Sequence, residues 1–331
     1  MLIGGSALMV KAAELLVAKG MSVGFILAPR YRDKVMSERG ETLEVAAERL
    51  GADLYLIDDI NHEYKQFEID LNAMALCFGP VWIFSENVRK RFKYGMFNYN
   101  AIPQPKYVGG AHHSWQIMNV NIDGGCVLQE IGAHVDHGDI LIAEYYQFPS
   151  ISISLQDYTQ YKNKKSFDFI QTIIERITDG DDFECKDYSE INESRLYFPR
   201  LMNERHAYID WRWKRDDIVR FCYAFGKPYD GAMTYYQGNK VYINAAEMIN
   251  HEPFHPFCSG LIVRKTEDYI YVATTTGIIS IKSLITNKGF EYLQKVKEGG
   301  RLYTPLNYLD EAMRCHIEID NRGNLVPLID E

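Results

Sequence analysis

The apolar positions alternate between two spacings, and the spacings separate the chain into elements. Leu2-Ile3 is a short apolar run ended by Gly4-Gly5-Ser6. From Ala7 to Lys19 the apolar residues recur at helical spacing, with Leu8, Ala12, Leu15 and Leu16 on one side, and Gly20 stops the run. Val23 to Leu27 is apolar again, so the opening reads strand, helix, strand, and a right-handed crossover makes the two strands parallel. Gly4-Gly5-Ser6 lacks a full GxGxxG and reads as a tight strand-to-helix turn. Further helices are expected at Glu41–Gly51, Asn61–Leu71 and from Ser85, and strands at Leu54–Ile57 and Ala73–Phe78. The last strand is continuously apolar, as a strand buried on both faces should be.

Met96–Asn98 reads as a strand that breaks into a Pro/Gly loop. A helix is expected over Ala111–Val120 and strands over Cys126–Ile131 and Ile140–Tyr146. The run from Ser154 to Gly180 reads as one long helix with Phe167, Ile170, Ile173, Ile174 and Ile177 as its stripe. The expected fold is α/β: a doubly wound, mostly parallel sheet in residues 1–180. An acidic, polar linker spans 181–207. A helix, Asp216–Phe225, and short strands follow: Met233–Tyr236, Val241–Ala246, Gly260–Arg264, Tyr269–Thr274 and Ile278–Ile285. Gly238-Asn239 is a hairpin signal, and strands this short point to a small β-rich, barrel-like domain over 208–290. Residues 291–331 read as a helix and a tail.

Composition narrows the classes. At 331 residues and 47% hydrophobic content the chain can bury the cores of two domains. No apolar run is long enough to span a membrane, and no signal peptide is visible, so a cytoplasmic setting is expected. Six cysteines without CxxC spacing indicate buried thiols in a reduced compartment and no zinc pattern. A net charge of −9 counts against a nucleic-acid partner. The immediate first strand suits a piece of a larger biosynthetic chain with neighbouring domains.

The candidate chemistry lies between Asn98 and Leu141. An amide at a strand end and a carboxylate in a later loop, Asp136, can meet across one cleft, where open α/β sheets place their ligands. Asn98-Tyr99-Asn100, Pro105-Lys106-Tyr107, Gly109, Trp115, Asn119 and Val135-Asp136-His137-Gly138-Asp139-Ile140 keep one register over some forty residues. In that register the stretch resembles the formyltransferases that use 10-formyltetrahydrofolate. Ile209-Asp210-Trp211, the following helix, Pro228, Gly231-Ala232 and Gly238-Asn239-Lys240 are similar to the C-terminal domain of methionyl-tRNA and amino-sugar formyltransferases. The resemblance implies that Asn98 and Asp136 are the catalytic pair. It also places Asn100 at the family's catalytic His, Val108 at the loop Arg, and Pro103-Gln104 at a Leu-Leu pair.

The resemblance further implies a folate site along Phe78, Gly79, Val81, Trp82 and Ile83, with His134, Val135 and Asp139 contributed by the Asp136 loop. The reaction implied is transfer of a formyl group from 10-formyltetrahydrofolate to a small primary amine, an amino-sugar nucleotide or a carrier-bound aminoacyl group. Such a transfer needs an oxyanion donor, a base for the amine and an acid for the leaving nitrogen. Asn98 suits the first role and Asp136 the second. Asn100 does not titrate near neutral pH, whereas imidazole does, and His112, His113, His134 and His137 are the nearby imidazoles; His137 is the one chosen here to compensate. The replacement leaves two alternatives open: an impaired binding domain of this family, or a formyltetrahydrofolate hydrolase.

Overall fold

A computed structural model describes residues 1–36, 39–67, 72–180, 195–320 and 323–330. The first lobe is built on a seven-stranded sheet in the order β3-β2-β1-β4-β5-β7-β8. Five strands are parallel: β1 (Leu2–Gly4), β2 (Gly24–Leu27), β3 (Asp53–Leu56), β4 (Ala75–Phe78) and β5 (Met96–Asn100). The buried run Ala75–Phe78 has this character because helices cover both faces. β6 (Tyr107–Gly109) stands outside the sheet. β7 (Asp123–Glu130) and β8 (Ile140–Gln147) extend the edge antiparallel.

The helices follow the apolar stripes. α1 (Ala7–Ala18) buries Met9, Val10, Ala12, Ala13 and Leu16. α2 (Leu43–Arg49) is capped by Thr42, whose side chain accepts from Val45 N. α3 (Ile60–Glu63) is a single turn, shorter than the expected Asn61–Leu71 helix, of which residues 68–71 lie outside the described residues. Its Asn61 side chain is held elsewhere: Nδ2 donates to Ile83 O (2.9 Å) and Oδ1 accepts from Ser85 N (2.8 Å). α4 (Glu86–Arg89) begins after Ser85, whose side chain makes no capping bond. α5 (His112–Asn119) carries Trp115. α6 (Leu155–Asp179) starts on a capping box formed by Ser154 and Asp157 and ends at Gly180 in a left-handed conformation.

Most of the linker expectation, residues 181–194, lies outside the described residues. The chain reappears as β9 (Leu196–Phe198), which pairs in parallel with β6, Tyr107 opposite Leu196 and Gly109 opposite Phe198. Gly109 has φ +108°, and a Cβ there would lie 1.9 Å from Phe198 O. Glycine therefore permits this close approach. After α7 (Asn203–His206) and α8 (Arg215–Ala224), the β-rich part consists of two four-stranded antiparallel sheets rather than one continuous ladder. The first contains β10 (Ala232–Tyr236), β11 (Asn239–Ile243), β16 (Ile285–Thr286) and β17 (Leu302–Tyr303). The second contains β12 (Glu247–Ile249), β13 (Ile262–Lys265), β14 (Ile270–Thr274) and β15 (Gly277–Ile281). Gln237 and Gly238, both at positive φ, make the β10–β11 turn, one residue before the expected dipeptide.

The end of the chain departs from the expectation of a tail. α9 (Leu306–Arg314) is followed by a hairpin of β18 (Cys315–Ile319) and β19 (Leu325–Ile329). One buried cluster joins the lobes: Ile117, Phe148, Leu155 and Tyr158 pack with Trp211, Phe221, Phe225 and the inner faces of both small sheets. Ser114 Oγ donates to Ala224 O across this junction (2.8 Å). No helix among the described residues is long and apolar enough to cross a membrane.

Candidate active site

Asn98 leaves the middle of β5 and Asp136 sits in the loop between β7 and β8. Both line one cavity of about 80 Å³, closed on its other sides by Trp82, Ile83 and Phe84 and by Gly132–Val135. Asn98 Oδ1 is buried and has no hydrogen-bond partner among the described residues. An unmatched buried oxygen costs stability comparable to a lost hydrogen bond, so Asn98 presents a polar atom to the cavity that a ligand can bond.

The Asp136 loop is held from three sides. Arg89 of α4 donates to Gly132 O. Gln129 Nε2 donates to Gly138 O (2.7 Å), and Glu130 N donates to Asp139 O (2.8 Å). Asp136 itself lies at φ +57°, a left-handed conformation that Asp tolerates better than most residues. Residues held there often belong to functional sites. Burial raises the Asp136 carboxyl above its ordinary pKa; the Gln104 amide, Arg195, Arg200 and His137 pull in the opposite direction. The Gln104 side chain is wholly buried, and its two amide atoms lack hydrogen bonds of full geometry.

The other expected site residues divide among several places. Trp82, Ile83, His134 and Val135 line the cavity with Asn98 and Asp136. Trp82 also donates to Asp58 O (2.9 Å), which fixes its ring. Phe78 and Gly79 line a different cavity, beside α1 and α6. Val81 meets the C-terminal hairpin: a Cβ on Gly323 would lie 2.2 Å from Val81 O. Arg30 reaches the same hairpin tip, donating to Gly323 O (3.0 Å) and Asn324 Oδ1 (3.2 Å). Asn100 is half-buried, pairs with Val127 in the ladder, and lies outside the cavity lining. Asp139 is exposed.

The imidazoles also separate. His137 is exposed, with Nδ1 2.7 Å from Val135 O and 3.4 Å from Arg195 Nη2. His134 is exposed at the cavity wall. His112 and His113 pack among aromatic rings, and burial pushes both down to about 4. They behave as neutral core histidines. Lys106 is engaged by Asp123 at 2.9 Å.

Two groups around Asp136, Arg195 and Arg200, escaped the sequence reading, and Gln104 entered it only as a departure at the Leu-Leu pair. The two arginines reach it because β9 pairs with β6, a contact across about ninety residues that no local pattern announces. Chemically, the arrangement offers an amide for a developing oxyanion and a poised carboxyl with nearby cations. Among the described residues no cluster of His, Cys, Asp and Glu suits a metal ion.

Residues 202–292 match the family described as formyl transferase, C-terminal domain. The methionyl-tRNA formyltransferase of Clostridium tetani is 24% identical over 221 residues, 66% of this chain and 69% of that protein. The N-formyltransferase of Helicobacter canadensis, solved with folinic acid and dTDP-3-aminofucose, superposes with a TM-score of 0.61 at 17% identity, covering 86% of this chain and 98% of that one. WlaRD, a sugar 3N-formyl transferase solved with dTDP and 5-N-formyl-THF, gives 0.60 at 17% identity, covering 85% and 95%. At such identities the solved structures speak for the fold. With the C-terminal match and the curated relative beside them, residues 202–292 carry the formyl transferase C-terminal domain and the chain as a whole is similar to the formyltransferases.

Proposed function

We propose that the protein transfers a formyl group from 10-formyltetrahydrofolate to a small primary amine. The observation that carries this reading is the shared cavity of Asn98 and Asp136, with the Asn98 oxygen unmatched. In the reaction the amine nitrogen attacks the formyl carbon, and the carbonyl oxygen gains negative charge. The Asn98 amide donates to that oxygen once its NH₂ end faces it. Asp136 accepts a proton from the amine nitrogen once it has bonded to the formyl carbon, directly or through one water, and the C–N bond to the folate then breaks as Asp136 passes that proton to the leaving folate nitrogen. Burial around Asp136 raises its proton affinity, which suits a group that must hold a proton and release it again.

The cavity has room for the formyl group and its nitrogen. A folate ring system needs a pocket of several hundred Å³. Trp82–Phe84 and Gly132–Asp136 therefore separate when the donor binds, with the pterin ring between them. The ligands named for the solved relatives, folinic acid and an amino-sugar nucleotide, support a folate donor and an amine acceptor. Asn100 takes a structural part in this scheme, and the proton passes through Asp136 alone.

The test is formyl transfer from 10-formyltetrahydrofolate to a panel of amines: amino-sugar nucleotides, carrier-bound aminoacyl groups and simple alkylamines. Formylated product from one class supports the proposal and names the acceptor. Folate binding without product from any of them rejects it, and formate released without an acceptor would indicate a hydrolase.

A further inference from the structure

A strongly apolar cavity lies away from Asp136. It is a cavity of about 600 Å³ where the two lobes meet, between α5, α8 and α9. Packed interiors hold few voids larger than a water molecule. A cavity this size falls instead in the range of small-molecule sites.

Its walls are aromatic and rigid. Trp115, Trp213, Phe221 and Phe225 face it. The Trp115 ring is pinned by its Nε1, which donates to Pro199 O (2.8 Å). Trp213 and Phe221 meet edge to face at 4.9 Å, and Phe221 and Phe225 lie 4.7 Å apart. Each ring thus holds the next in place.

The charged groups of the wall have one sign. Asp210 and Asp217 line it, and among the described residues no lysine or arginine does. Each carboxylate is held from outside by an arginine. Arg212 donates to both oxygens of Asp210, at 2.9 Å to Oδ1 and 2.6 Å to Oδ2, and Arg220 donates to Asp217 Oδ1. Two further polar side chains line it: His206 is occupied by Met202 N and the Cys315 carbonyl, and the Tyr208 hydroxyl accepts from Lys240 Nζ at 3.0 Å. A ligand inside therefore meets ring faces and acceptor oxygens, with no cationic side chain among the described lining residues. Ring faces attract positive charge, and a buried anion without a partner is costly.

We propose that this cavity is a second ligand site that takes a compact aromatic body carrying an ammonium group. It is separate from the formyl-transfer cavity. Pro199 and Leu201 form part of its wall, while Arg200 between them packs its Cγ over Gly110. The inference stands on the aromatic and acidic lining and does not depend on the formyl-transfer reading.

The test uses the whole chain without folate. Calorimetric titration compares 2-phenylethylamine with 3-phenylpropionate, a similar shape of opposite charge. The expected result is saturable, low-millimolar binding of the amine, in keeping with a ligand of about nine heavy atoms. The carboxylate should bind at least about tenfold more weakly, a difference of about 1.4 kcal/mol. Ala312→Phe fills the cavity from α9 and should abolish amine binding. Leu201→Phe fills it from the opposite wall and serves if the first variant does not fold. Absence of saturable amine binding to the folded wild type, equal binding of the carboxylate, or amine binding unchanged in a folded filled variant would each overturn the proposal.

Discussion

Gly138 lies so close to the strand before it that a Cβ on it would stand 1.8 Å from the Glu130 carbonyl oxygen. The contact sets the path of the loop that presents Asp136, because Gly138 O also takes the Gln129 side chain. Gly138→Ala forces this loop away from β7. The expected result is a loss of about 2 kcal/mol of stability, the usual scale of overpacking against backbone, read as a melting temperature lower by several degrees. Formyl transfer should fall further than folding does, since Asp136 moves with the loop. An unchanged rate in a folded Gly138→Ala variant would mean that the loop's position is unimportant.

Asn98→Ala removes the oxyanion donor and also the orphaned oxygen. Loss of such a donor costs about a hundred- to a thousandfold in kcat, while folate affinity should change little. Rate measurements at saturating folate check this. A fall confined to KM would assign Asn98 to binding.

Asp136 yields a stability prediction with a definite sign. Burial raises its carboxyl in the folded protein. Ionisation therefore costs the folded state more than the unfolded one, and stability is lost as pH rises from the unfolded value near 3.9 through the folded one. Asp136→Asn removes the ionisable group. Its melting temperature at neutral pH should equal or exceed that of the wild type, although activity falls. Thermal denaturation of both proteins between pH 4 and 8 measures the difference, and an Asn variant markedly less stable at pH 7 contradicts it.

His112 and His113 give the opposite pH slope. Both are held neutral by burial, at about 4. Their unfolded value is near 6.5, so the unfolded chain takes up protons first and stability falls as pH drops from about 6.5 towards 4. His113→Leu should flatten that decline, and a parallel decline in the variant would show that other groups cause it.

The main elements were legible where packing follows a one-dimensional pattern. α1 and α6 bury one stripe each, and their apolar residues recur accordingly. β4 is apolar throughout because both of its faces are covered. The pattern failed where other forces set the structure. β7 starts at Asp123 with Gly124 and Gly125, residues poor in strand propensity, because the Tyr146 ring and Pro103 press against them. The Leu325–Ile329 strand contains Pro327, which discourages a strand reading although β19 lies at an edge. α3 ends at Glu63 after a single turn, while the Asn61 side chain bridges Ile83 O and Ser85 N.

The site was legible in part for a different reason. Asn98 and Asp136 were singled out by motif register, and the structure brings them to one cavity through β5 pairing with β7. Gln104, Arg195 and Arg200 carry no local signal. They surround Asp136 through long-range pairing and through a loop whose residues differ from the family pattern.

The most direct measurement is the single-turnover rate of formyl transfer, from pH 5 to 9, in the wild type and in Asp136→Asn. The wild-type rate should fall on the acid side with a midpoint above the ordinary aspartate value, as burial of the carboxyl requires. The Asn variant should be slower by about a hundred- to ten-thousandfold and lose that inflection. A variant that keeps the wild-type rate and its acid limb would contradict the assignment of the proton to Asp136.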